Sequence, residues 1–261
     1  MYQSNLILSE KLKKQRFLLG THVTCGEMQL AEMISQSGVE YIWMDTEHTA
    51  LTKQDVMQQL IAMSAANIPV FVRVPRTEWA EAKPILDLGA SGIIFPMIRT
   101  AEDVEYAIAC CTYPPRGIRG YGPRRAARFG LDSSAGYISE DADKVFKLIQ
   151  IETREAVENL DKICRVPGIS VLIIGPMDLS GAYHHLGEDN HPEMLEIYCR
   201  IAETGRKAGI PVMVSTGAHT VENIKKWVDM GVNLVTVGNE FGYILSGLRE
   251  TIRNAKAVEK M

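Results

Sequence analysis

A closed (β/α)8 barrel, a single domain over residues 1–261, is the fold this sequence predicts. Short apolar runs rich in β-branched residues alternate with longer segments of helical period, which is how parallel strands joined by crossover helices read in sequence. Eight such runs occur, the strand number of the barrel, and the chain length matches the ~250 residues that one barrel needs.

In chain order the runs are Phe17–Thr24, Tyr41–Asp45, Val70–Val74, Gly92–Pro96, Lys147–Ile151, Val171–Gly175, Val212–Ser215 and Leu234–Gly238. Between them, Gly26–Ser37, Thr52–Ala66, Ala101–Cys111, Met194–Ala208 and Thr220–Met230 place apolar residues at helical spacing. Four segments, SQSGVEYIWMD, LDLGASGIIFP, RKAGIPVMV and VDMGVNLVTVG, put a glycine at a helix C-terminus just before a buried strand, as the left-handed cap of an αβ turn requires. A doubly wound open sheet shares this alternation; the count of eight favours the barrel. The irregular stretch Thr112–Tyr137 after the fourth strand is long for a connection in a compact domain, and such lengths more often serve function.

Composition removes several function classes. With 46% hydrophobic and 23% charged residues the chain is neither disordered nor fibrous. A net charge of -4 argues against a general nucleic-acid binder, which needs a concentrated basic surface. No apolar run approaches the ~20 residues of a membrane span, and the opening MYQSNLILSEKLKKQRF has charges where a signal peptide carries its apolar core, so a cytoplasmic location is expected. The five cysteines are odd in number and form no CxxC pair; they read as buried thiols.

In a parallel barrel the chemistry sits at the C-terminal strand ends. Four ends stand out: WMDTEH with Asp45, Glu47 and His48, FVRVP with Arg73, LIQIET with Gln150 and Glu152, and IIGPMDLS with Asp178. Glu152 and Asp178 leave neighbouring strands and suit a hard divalent cation such as Mg2+ or Mn2+, although each could equally cap the helix that follows. Arg73 ends an apolar strand, where a guanidinium needs a carboxylate, a phosphate or a substrate oxyanion, so a bound acid and an internal salt bridge both fit. His48 lies three residues after Asp45, close enough for the carboxylate to orient its imidazole for proton transfer. The segment YPPRGIRGYGPRRAARFG, with Arg116, Arg119, Arg124, Arg125 and Arg128, suits anion capture; a solvated loop with surface arginines accounts for most of the five, only Arg119 and Gly120 are singled out, and the GxRGxG spacing is not a dinucleotide fingerprint. His184, His185 and His191 lack metal-site spacing and read as loop residues. Lys147 begins the fifth run, at the wrong face for a Schiff base.

Taken in order, WMDTEH, VRVP, LDLGASGIIFP, YPPRGIRGYG, QIET and GPMDLS resemble the signature of the class II pyruvate aldolases of the HpcH/HpaI family, from about Gly20 to Gly238. The resemblance implies a barrel of the phosphoenolpyruvate/pyruvate type whose last helix, here the segment after Gly238, is exchanged between subunits, usually in a hexamer made from dimers. It implies that Glu152 and Asp178 ligate a divalent metal (Mg2+, Mn2+ or Co2+) with Gln150 helping to hold the site. Arg73 would contact the keto oxygen of pyruvate, and His48, paired with Asp45, would serve acid-base chemistry on the aldol hydroxyl. Asp87 matches an aspartate that reaches a neighbouring subunit's site, and Gly175, Pro176 and Met177 would line the pyruvate carboxylate. Met177 departs from the small alanine usual after Gly-Pro, which puts pocket size in question. The implied reaction is the reversible cleavage of a 4-hydroxy-2-oxo acid into pyruvate and an aldehyde. A decarboxylase acting on oxaloacetate-like acids through the same enolate and a non-catalytic 2-oxo-acid-binding barrel are the alternatives.

Overall fold

All eight strands form within two residues of their expected limits. In the computed structural model, which describes residues 2–217 and 219–259, they are β1 (Leu18–Val23), β2 (Tyr41–Asp45), β3 (Val70–Arg73), β4 (Gly92–Phe95), β5 (Phe146–Ile151), β6 (Val171–Ile174), β7 (Val212–Thr216) and β8 (Leu234–Asn239). They pair in parallel in sequence order, and β8 closes onto β1. The open-sheet alternative is thereby excluded.

Alternation along each strand decides what fills the barrel. Leu18, Tyr41, Trp43, Phe71, Ile94, Phe146, Leu148, Val171, Ile173, Met213 and Leu234 form one buried cluster inside it, while the alternate residues join a larger cluster between strands and helices. Two glycines make room for the aromatic filling. A Cβ on Gly20 would fall 2.2 Å from the Tyr41 ring, and one on Gly92 would fall 2.7 Å from Phe146 Cβ. Tyr41 and Phe146 flank Phe71 with ring centroids 5.9 and 5.2 Å away. The interior is therefore solid, and polar side chains can gather only at its ends.

The helices are α1 (Gln3–Lys14), α2 (Met28–Ser35), α3 (Lys53–Ala62), α4 (Trp79–Asp87), α5 (Ala101–Cys111), the single turn α6 (Ser134–Gly136), α7 (Arg154–Glu158), α8 (Leu160–Ile163), α9 (Pro176–Ala182), α10 (Pro192–Lys207), α11 (Val221–Asp229) and α12 (Glu240–Val258). Thr52 and Thr100 start α3 and α5 through reciprocal capping boxes with Asp55 and Asp103. The four helix-terminal glycines behave as expected: Gly38, Gly89, Gly209 and Gly231 have φ of 98°, 88°, 72° and 93°. Helix α1, which the sequence reading did not single out, plugs the N-terminal end of the barrel. Its Leu8 joins the interior cluster, and Asn5 donates to the carbonyls of Ser91 and Lys144 at 2.7 and 2.9 Å.

The arginine-rich stretch lies at the same end. It follows the C-terminus of α5, and its Arg125 donates to the carbonyls of Leu60 and Leu88 near the ends of α3 and α4. Arg119 is buried, donates to Tyr137 Oη at 3.1 Å and to Asp87 at 3.4 Å, and lies 4.5 Å over the Tyr113 ring. The loop thus packs under the face of the barrel opposite the C-terminal strand ends, with Arg119 committed there to Tyr137 and Asp87. The cysteines also differ from expectation, with Cys110 and Cys111 buried, Cys25 and Cys164 partly so, and Cys199 exposed. No helix among the described residues is long and apolar enough to cross a membrane.

Candidate active site

The C-terminal ends of the strands form one polar mouth. Register brings Asp45 at the end of β2 opposite Arg73 at the end of β3, and the guanidinium grips the carboxylate bidentately, Nε to Oδ1 at 2.9 Å and Nη2 to Oδ2 at 2.6 Å. Nη1 lies 2.9 Å from Glu47 Oε2, and the whole group sits 5.3 Å over the Trp43 ring. Burial alone would raise the Asp45 pKa, but the hydrogen bonds and charge of Arg73 outweigh it and hold the carboxyl below its ordinary range. For Glu47 burial wins over Arg73 and His48, and its carboxyl is pushed up. Of the two sequence readings of Arg73, the internal salt bridge is present. Of its five N–H donors, two point to Asp45 and Nη1 lies against Glu47, which leaves fewer than three to meet a ligand.

The pairing expected between His48 and Asp45 is not formed. Asp45 Oδ1 accepts from the backbone N–H groups of Glu47 and His48 at 3.0 and 3.5 Å, while the His48 imidazole, 63% exposed, has Nε2 3.7 Å from Glu47 Oε2. Asp45 is instead committed to Arg73 and to shaping its own turn.

Across the mouth, Glu152 is 3% exposed and accepts from Met97 N–H at 2.7 Å and from Gln150 Nε2 at 2.5 Å. Burial, reinforced by the charges of Asp178 and Glu47 and opposed by the Met97 N–H and Arg73, raises its pKa to about 7. The helix-capping alternative fails for Glu152, because Thr153 supplies the side-chain cap of α7. Asp178 stands exposed in the first turn of α9, which Pro176 opens. Gly175 leaves a cradle beside Glu152 and Gln150: a Cβ there would lie 2.8 Å from both Glu152 Oε2 and Gln150 Nε2. Gln150 Oε1 and Trp43 Nε1 are buried without hydrogen-bond partners among the described residues. Carboxylate oxygens from two adjacent strand ends beside an unmet amide oxygen fit a hard divalent cation, whose remaining positions water or substrate oxygens would fill. Met177, 57% exposed, projects at the rim.

Asp87 is not part of this mouth in its own chain. It ends α4, at the opposite face, where burial raises its pKa against the pull of Arg119. Lys147 likewise sits at the strand start as expected, donating to Asp143 O at 3.2 Å.

Sequence reasoning passed over His22. Its Nδ1 contacts Gly238 O at 2.7 Å and its Nε2 Ser215 Oγ at 2.9 Å, and burial lowers its pKa. The carbonyl fixes Nδ1 as the protonated nitrogen, so Ser215 donates to Nε2. A bulge makes the contact: pairing shifts from Thr21↔Val237 to His22↔Asn239, and Gly238 takes φ 54°. The available signal was parity, since His22 is two and four residues beyond the inward Gly20 and Leu18.

Compared with known proteins, residues 19–244 match the model of the HpcH/HpaI aldolase/citrate lyase family. The chain belongs to this family. It is 32% identical over 243 residues to the hydroxypyruvate/pyruvate aldolase of Roseobacter denitrificans, covering 91% of this chain and 92% of that one. It is 29% identical over 242 residues to the 2-dehydro-3,6-dideoxy-6-sulfogluconate aldolase of Pseudomonas putida, covering 92% and 93%. Among solved structures, an HpcH/HpaI aldolase/citrate lyase family protein from Burkholderia cenocepacia superposes with a TM-score of 0.89 at 29% identity, over 96% of this chain and 99% of that one. Membership in the HpcH/HpaI family makes this an aldolase/lyase barrel, and the polar mouth is where its strand ends converge.

Proposed function

We propose that the chain is a metal-dependent pyruvate aldolase that reversibly cleaves a 4-hydroxy-2-oxo acid into pyruvate and an aldehyde. The observation that carries the reading is the buried, pKa-raised Glu152 beside Asp178 and the Gly175 cradle, facing the Asp45–Arg73 pair. Glu152 and Asp178 would hold Mg2+, Mn2+ or Co2+, which when bound supplies Lewis acidity to the oxygens of the 2-oxo acid. Arg73, locked by Asp45, directs its remaining N–H groups at the charge that develops on the keto oxygen, and a donor held in place beforehand costs no reorganisation during reaction. Gln150 fixes Glu152 through its amide, and the turn Gly175–Met177 lines the substrate carboxylate, with the Met177 and Asp178 N–H groups the donors that the first turn of α9 can offer, since Pro176 has none. His48 stands exposed at the rim, where it can exchange a proton with the C4 hydroxyl. The solid interior closes the far side to water.

The assembly we propose is an oligomer, a hexamer built from dimers, in which α12 lies on a second copy. Along α12, Phe241, Ile244, Leu245, Leu248 and Ile252 are each about half exposed in the single chain, an apolar face that a partner would bury. Asp87, remote from the mouth of its own barrel, is then available to the mouth of another.

Exchange of pyruvate methyl protons with D2O, followed by NMR with EDTA and then with added Mn2+ or Mg2+, tests the reading. Metal-dependent exchange that Glu152→Gln abolishes is expected, and exchange that persists in Glu152→Gln refutes it. Product analysis with oxaloacetate and with 4-hydroxy-2-oxo acids separates decarboxylation from aldol cleavage.

A further inference from the structure

The loop between α9 and α10 gathers a second set of metal-type donors, apart from Glu152 and Asp178. His185, His191 and Glu193 each bring a ligand atom into one small space, all within 4.8 Å of one another. The histidines lie in the loop, as expected, and linear spacing gave no sign that the loop brings these groups together. Successive turns, His185 N–H to Ser180 O, Glu188 N–H to His185 O and His191 N–H to Glu188 O at 2.7, 2.8 and 2.9 Å, fold the chain back until the two imidazoles stack with centroids 3.5 Å apart. Pro192 then starts α10 at once and delivers Glu193 in its first turn.

Two imidazoles and one carboxylate suit a borderline cation of the zinc class, whereas the oxygen donors at the barrel mouth suit a hard one. His185 Nε2 lies 3.0 Å from Glu193 Oε2, and its Nδ1 lies 3.4 Å from Glu188 Oε2. One nitrogen thus faces the shared space while a carboxylate holds the other, the arrangement that orients metal-bound imidazoles. His191 Nδ1 is shielded from solvent and has no hydrogen-bond partner among the described residues, an unmet nitrogen that coordination would satisfy.

We propose that His185, His191 and Glu193 form a second cation site for a zinc-class metal, with Glu188 behind His185 and water completing the coordination. Metal binding would require side-chain rotations that unstack the two imidazoles, whose lone pairs lie in the ring planes, and draw the ligand atoms to the roughly 3.4 Å spacing that tetrahedral bonds of 2.0–2.1 Å set. The site braces the active-site helix: Ser180, whose carbonyl accepts from His185, also accepts from Gly187 N–H at 3.3 Å and donates to Met177 O at 2.8 Å, one residue from Asp178.

The test is zinc retained per chain, by elemental analysis, after untagged full-length protein is dialysed against micromolar Zn2+ in millimolar Mg2+. Wild type and Glu152→Gln should both retain zinc, and His185→Gln and His191→Gln should bind it at least about tenfold more weakly. Glu188→Gln, which removes no ligand, should weaken binding to a lesser degree and keeps the test open if a histidine variant fails to fold by circular dichroism. Failure of wild type to retain zinc overturns the proposal. So does zinc that survives both histidine changes but leaves with Glu152→Gln, which would assign it to the barrel mouth.

Discussion

Glu152 should tie metal affinity and apoprotein stability to the same titration. Its carboxyl moves from an ordinary 4.5 to about 7, with burial the largest cause. Because the folded pKa is raised, the metal-free protein keeps the corresponding stability below pH 4.5 and loses it as pH rises through 7, a loss of roughly 3 kcal/mol. A bound cation needs the ionised form, so below pH 7 its apparent affinity should fall about tenfold per pH unit, to about a hundredth at pH 5. Two measurements check this: Mn2+ titration by isothermal calorimetry from pH 5 to pH 8, and urea unfolding of EDTA-treated protein from about pH 4 to pH 8, spanning the shift from 4.5 to about 7, each on wild type and Glu152→Gln. The variant should bind Mn2+ at least tenfold more weakly at pH 8 and lack the wild-type stability loss between pH 4.5 and 7. A flat Mn2+ affinity in wild type, or a variant that binds as wild type does, would refute the assignment of Glu152 as a buried ligand.

Three further outcomes follow from the geometry. Gly175→Ala places a Cβ 2.8 Å from Glu152 Oε2; displacing that carboxylate from Met97 N–H should cost about 1–3 kcal/mol and weaken Mn2+ binding, both readable by thermal melts with and without metal. Arg73→Lys keeps the charge but loses the two-point grip on Asp45, so kcat/KM for aldol cleavage should drop about a hundredfold, with KM for pyruvate in the synthetic direction also raised. Leu248→Glu with Ile252→Glu adds charge to the exposed face of α12; it should leave the far-UV spectrum unchanged yet reduce the mass measured by light scattering, and an unchanged mass would remove α12 from the interface.

How much of this was legible beforehand depends on the range of the interaction. Strand limits and glycine caps were readable because each is a local choice: alternation fixes a strand, and a left-handed turn at Gly38 or Gly89 demands glycine whatever surrounds it. The strand-end residues Asp45, Arg73, Gln150, Glu152 and Asp178 were readable because a closed parallel barrel sends every C-terminal strand end to one face.

Partner choice was not local. Asp45 takes Arg73 rather than the nearby His48 because the β2–β3 register sets the two side by side, 28 residues apart in sequence. Arg119 goes to Tyr137 and Asp87 at the far face because its loop leaves the C-terminus of α5, and His22, whose inward side parity gives, meets the Gly238 carbonyl only through a bulge that parity does not give. His185 and His191 meet only because a chain of backbone turns folds them together. The sequence by itself determined which elements form and which polar residues reach the mouth; register, bulge and loop path, set by packing across the whole barrel, decided which of those residues touch.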